Sequence, residues 1–176
     1  MISILALFAL GICIMAAICD FTALKLPNIL MIALLALYGQ MALMNYVNGQ
    51  NEFYSQITVA AGLFLLTALL FFTGVFGGGD AKMISVVGLW LGLQGLPSFL
   101  LVMSLAGFFL ALTALALKQK IKDEKFFMRI PETLRPENGW LHSLHKGENA
   151  IPYGIAITAG VFAGFVSNGY FNGLGV

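Results

Sequence analysis

The chain has 176 residues, 60% of them hydrophobic and only 10% charged, with a mean hydropathy of +0.92. A soluble domain carries about 25% charged residues, so this chain cannot cover a water-exposed surface, and lipid is its natural solvent. The net charge of +1 gives no basis for a nucleic-acid partner, and the two cysteines, Cys13 and Cys19, share one apolar run, which argues against a disulfide framework.

A membrane-spanning helix needs roughly 20 apolar residues. The hydropathy pattern predicts six such helices, at residues 2–19, 29–47, 56–76, 83–96, 98–117 and 151–170. No Lys or Arg precedes the first, so it lacks the basic start of a secretory signal. Ala16-Ala17-Ile18-Cys19-Asp20 faintly resembles a lipoprotein cleavage site, but Ile18 is too large for the position before the cysteine. The segment is read as a retained transmembrane helix. The fourth helix is short, and Pro97 separates it from the fifth. The expected fold is all-α: one polytopic membrane domain over residues 1–176, with about six transmembrane helices and one longer cytoplasmic loop at 118–150.

The charges orient this pattern. Lys25 lies between the first two helices and Lys82 between the third and fourth. Lys118, Lys120, Lys122, Lys125, Arg129, Arg135 and Lys146 lie between the fifth and sixth, which completes the nine basic residues. The alternate connections, 48–55 and 94–97, hold none. The positive-inside rule makes the charged side cytoplasmic, and both termini then face the opposite compartment. The long loop mixes its lysines with Ile121, Phe126, Phe127, Met128 and Ile130. That composition suits an interfacial amphipathic helix on anionic membrane lipid, or a solvated basic anchor. Pro131, Pro136 and Gly139 break any long helix there.

Charged residues at membrane depth are costly and are functional candidates by default. Asp20 ends the first apolar run, and Asp80 follows Gly77-Gly78-Gly79. Asp80 has a bland alternative as the N-cap of the fourth helix, and Asp20 has one as a salt-bridge partner of Lys25. If the first helix ends at Asp20, the carboxylate meets the negative end of the helix dipole. The 16 residues from Ala81 to Leu96 make roughly 24 Å of helix, less than the ~30 Å hydrocarbon core. Asp80 is therefore expected near the bilayer edge on Gly-rich backbone, which at that depth lines a wet cavity or is buried in protein. Two carboxylates held close share a proton. The charged one can activate water and the protonated one can donate to a carbonyl or leaving amine, the logic of aspartic proteases.

The sequence resembles the type IV prepilin peptidases. Gly77-Gly78-Gly79-Asp80-Ala81-Lys82-Met83 matches their Gly-x-Gly-Asp motif with its following Lys, and Gly88-Leu89-Trp90-Leu91-Gly92 continues it. Asp20 followed by Lys25-Leu26-Pro27-Asn28 resembles the first aspartate and its Pro-Asn turn. Ile151-Pro152-Tyr153-Gly154-Ile155-Ala156 resembles the last block, especially of the small enzymes serving Flp pili and Tad secretion. The resemblance implies an aspartyl endopeptidase of the bacterial inner membrane. It would cut a short basic leader from a prepilin or pseudopilin after a glycine, at the cytoplasmic side, with Asp20 and Asp80 as the catalytic pair and no cofactor. Larger relatives also methylate the new N-terminus and carry Cys-x-x-Cys zinc ligands. This chain has neither that motif nor room for the region between its first two helices, so methylation is not expected.

Gly77, Gly78, Gly79, Lys82, Pro27, Asn28, Pro152, Tyr153 and Gly154 are the expected supporting or substrate-binding positions. Pro27 and Asn28 also suit the start of the second helix, Lys82 a topology anchor, and Tyr153 an interfacial belt. His142-Ser143-Leu144-His145 has metal-compatible spacing, but Gly139 and Gly147 favour a loop, and no metal site is expected. Gly88/Gly92 and Gly160/Gly164 fit close helix packing within the chain. Two rival functions use the same residues: a small proton-coupled transporter or channel, and a non-catalytic pilus-assembly subunit.

Overall fold

The computed structural model describes residues 2–49, 53–74, 76–148 and 150–174. Residues 50–52 of the expected second connection, residue 75 near the expected end of the third helix, residue 149 of the long loop and both chain ends lie outside the described residues. Every regular element among the described residues is helical. Helices α1 (Ile2–Ala23), α2 (Asn28–Val47), α3 (Phe53–Phe72) and α4 (Gly78–Ile121) are each long and apolar enough to cross a membrane. Three shorter helices follow: α5 (Glu124–Arg129), α6 (Trp140–His145) and the apolar α7 (Tyr153–Ser167).

At 44 residues, α4 would run roughly 66 Å if straight, about twice the hydrocarbon thickness. It does not run straight. Gly92 has φ 53° and ψ −164°, a conformation that side chains with a Cβ avoid. The neighbours show that the chain reverses there. Going down α7, Asn168 lies against Gly95, Gly164 against Gly95 and Leu91, Gly160 against Phe99, and Tyr153 against Gly107. Tyr153 also packs its ring on Phe76, just before α4, with centroids 5.3 Å apart. The second half of α4 therefore returns to the level at which the first half began. The expected boundary at Pro97 is corrected to Gly92. Pro97 forfeits only the bond to the Leu93 carbonyl, at the very start of the second half.

Breaking a helix frees carbonyls that must be satisfied. Asn168 Nδ2 donates to Leu91 O at 2.9 Å and to Trp90 O at 3.3 Å. Tyr170 Oη donates to Trp90 O at 2.6 Å. The end of α7 thus caps the break in α4.

The first half of α4 is the core of the bundle: Met83, Ile84, Val87, Trp90 and Leu91 are buried among α2, α3 and α7. Trp90 is stapled to α2 by Nε1 donating to Leu34 O at 3.3 Å. On α1 the buried stripe is Ala6, Ala9, Cys13, Ala16 and Asp20, spaced three or four apart as one helix face requires. Its residues are small, so α7 comes close enough for Thr158 Oγ1 to donate to Cys13 O at 2.9 Å. The outer faces are apolar and bare, with Phe72 84% and Leu65 70% exposed, as lipid-facing surfaces are.

Residues 118–148 are not an open loop, and the first part, to residue 129, is helical in two pieces. The second half of α4 extends to Ile121, and α5 and α6 fold back to form a small cap. Ala114, Ile121, Phe127, Trp140 and Leu144 make its core. Trp140 fixes it at both ends, edge-on to Phe21 of α1 at 5.6 Å and donating Nε1–H to Ala150 O at 2.9 Å. The loop expected around His142 is corrected to α6, because burial of Trp140 and Leu144 holds one turn and a half of helix.

Candidate active site

Four helix ends converge at the level of Asp20. Helix α1 runs one turn past its expected end, to Ala23, which places Asp20 inside the helix on its buried stripe. Leu24 then takes a left-handed φ of 49°, a costly conformation for a residue with a Cβ. It turns the chain sharply through Lys25, Leu26 and Pro27 into α2. Pro27, at extended φ and ψ, is the N-cap of α2, and Asn28 its first residue.

The bland reading of Asp80 is corrected in detail. Gly77 is the N-cap of α4, and Asp80 sits three residues on, with its carboxylate turned back to the Gly77 backbone N–H. That is the reciprocal half of a capping box, and the positive end of the helix dipole favours a carboxylate there. A Cβ on Gly77 would lie 2.9 Å from Asp80 Oδ2, and one on Gly79 would lie 3.0 Å from Leu26 Cβ. Glycine is needed at these two positions for close approach. Thr67 of α3 points its hydroxyl at Ala81 O, 3.4 Å away, beside the same helix start.

Asp20 is held by a different helix end. The Gly154 N–H donates to Asp20 Oδ2 at 2.7 Å. Gly154 is in the first turn of α7, whose N-cap, Pro152, supplies no side-chain cap. Asp20 provides that missing cap from α1. The dipole cost at the end of α1 is thereby offset by the positive end of α7. Tyr153 packs on Phe76 and Pro152 is buried. The Pro-Tyr-Gly block therefore stands behind Asp20, whereas the other supporting positions face an opening.

That opening is a cavity of about 550 Å³ lined by both aspartates, by Lys25, Pro27, Asn28 and Lys82, and by Gly77, Gly78 and Gly79. Asp20 is 6% and Asp80 9% exposed, so both line the cavity while nearly withdrawn from open solvent. They are near enough for their charges to act on each other. Lys82 Nζ donates to Asn28 Oδ1 at 3.3 Å, joining α4 to α2 across the rim. Two carboxylates facing shared space, with two ammoniums at its edge, can share a proton, bind a water and act as paired acid and base.

His142 and His145 lie elsewhere, in the cap. His145 stacks on Phe127 at 4.2 Å, and its Nδ1 is 2.7 Å from Ile121 O. The sequence reading missed Thr158, Asn168 and Tyr170. Their only signal was polarity within or just after an apolar run.

A family model described as the type IV leader peptidase family matches residues 7–112. The match takes in both aspartates and ends before α6 and α7. No curated protein and no solved structure matches the chain.

Proposed function

The chain belongs to the type IV leader peptidase family, and from that premise we propose that Asp20 and Asp80 are the catalytic pair of an aspartyl endopeptidase. The observation that carries this reading is that two nearly buried carboxylates, 60 residues apart in the chain, line one cavity at the ends of apolar helices. The ionised carboxylate takes a proton from a water lying between the two. The water oxygen attacks the scissile carbonyl carbon while the protonated carboxyl donates to the carbonyl oxygen. Collapse breaks the C–N bond, the proton taken from water leaves on the new amine, and a hydroxyl of the tetrahedral intermediate returns a proton to the carboxylate that had donated one. The products are a leader with a new carboxylate and a mature chain with a new amino terminus.

The substrate is a type IV prepilin or pseudopilin: a short basic leader joined to a hydrophobic segment. The apolar segment approaches from lipid, and the scissile stretch unwinds, because a helix hides its carbonyls in hydrogen bonds. By the positive-inside rule, the cavity faces the cytoplasm and both termini face away from it, in a bacterial inner membrane crossed six times. Lys82, Asn28 and Pro27 shape the cavity rim, and Gly154 fixes Asp20. A transporter reading has less support. Met83, Ile84, Val87 and Trp90, each 1% exposed or less, fill α4 between Asp80 and the opposite end with buried apolar side chains.

Leader removal tests the proposal. The chain is co-expressed with a candidate prepilin, and Asp20→Asn and Asp80→Asn are compared with wild type at matched membrane levels. Each substitution is expected to slow processing by at least about a hundredfold. Wild-type rates in either variant would sink the dyad and favour a non-catalytic assembly role.

A further inference from the structure

A second cavity, of about 270 Å³, adjoins the first. The two share Leu24 and Lys25 as a common wall. The first cavity opens beside the apolar helix ends. The second lies between the end of α1 and the cap, beyond the apolar run. Its remaining wall is strongly polar and includes Glu137, Lys146 and Glu148. Gly139 brings the cap against α1: a Cβ there would lie 3.0 Å from Thr22 O, two residues from Asp20. Glu148 accepts a hydrogen bond from Ser143 Oγ, which lines the same cavity. Among the described residues no partner holds Glu137, whose side chain is exposed.

We propose that this cap cavity is the subsite for the leader, and that Glu137 and Glu148 pair with a cationic leader side chain. The inference rests on the peptidase reading above. A substrate with an apolar segment and a polar one must place the first toward lipid, so the second crosses the Leu24–Lys25 wall into the cap. An extended peptide advances about 3.3 Å per residue, so the side chains reaching the cap stand a few residues before the scissile bond. The cavity has two carboxylates and two ammoniums. The charges balance, so a bound lysine or arginine is held by direct pairing with Glu137 and Glu148 and not by an excess of negative charge. The pre-set Glu148 and the unpaired Glu137 give that cation its partners.

The test uses the full chain in nanodiscs and a prepilin-type substrate whose leader carries a single lysine, placed in turn about two to six residues before the bond. At one or two placements, Glu137→Gln with Glu148→Gln is expected to raise KM about fivefold, as exposed ion pairs allow, with kcat unchanged and no effect on a leader bearing Gln instead. Glu137→Lys is expected to reverse the preference, favouring a leader glutamate. Binding of uncut substrate to Asp20→Asn is measured alongside. Cleavage with no dependence on leader charge at any placement overturns the subsite and leaves the peptidase standing. Charge-dependent binding with no cleavage by wild type keeps the subsite and overturns the peptidase.

Discussion

At the scale of single residues, the two aspartates were legible because a carboxylate in or beside an apolar run has few inexpensive explanations. What holds Asp20 was not legible. Its partner is a backbone N–H 134 positions away, and a backbone donor leaves no mark in the sequence. The glycine itself was noticed, but its use depends on α1 and α7 touching. A Cβ on Gly154 would lie 3.0 Å from both Asp20 Cβ and Oδ2, and 3.4 Å from the Ala17 backbone. Gly154→Ala should therefore push Asp20 from its seat without unfolding the bundle. The expected result is a loss of about tenfold or more in kcat, since sub-ångström placement governs such chemistry, with a thermal midpoint lowered by only a few degrees. Leader-removal kinetics and a melt in detergent, run on the same preparation, check both halves.

At the scale of elements, helix existence was legible and helix division was not. Apolar runs of the right length announce themselves, and α2 and α3 stand close to where hydropathy put them. The turn between the halves of α4 was assigned to Pro97, the louder signal. The true break is at Gly92, one of 20 glycines, and nothing local says that it takes a positive φ in the middle of an apolar run. Of the cap helices, α5 was left open between helix and loop and α6 was read as a loop, for a related reason: six residues cannot sustain a helix alone, and tertiary burial of Trp140 and Phe127 decides them. The break carries its own prediction. Gly92→Ala places a side chain at φ 53°, ψ −164°, which should cost about 1–3 kcal/mol. Asn168→Ala leaves the Leu91 carbonyl without its donor, at a cost of about 1–3 kcal/mol. Both should appear in denaturant or thermal unfolding in micelles. A neutral result at Gly92 would mean that the reversal does not depend on that residue.

At the scale of the molecule, the arrangement divides into an end that holds both aspartates and an end that holds the helix break. Asp20, Asp80 and the cap stand at one end of the bundle. The break at Gly92, with Asn168, Tyr170, Gln56 and Asn45, stands at the other, around a separate polar cavity of about 490 Å³. Charge placement in the sequence already drew this division, because Lys25, Lys82 and Lys146 all fall at the end that holds the aspartates. If the positive-inside rule orients the chain, that end meets the cytoplasm, where a basic leader would be found. The orientation can be read with single cysteines in a chain carrying Cys19→Ala, Cys13 being fully buried. Lys25→Cys and Lys146→Cys should react with an impermeant thiol reagent only when the cytoplasmic face is open to it, and Ser55→Cys only from the opposite face. The reverse pattern would put the carboxylates on the wrong side of the membrane for a substrate met before export. The peptidase reading would then have to give way, even with the dyad geometry intact.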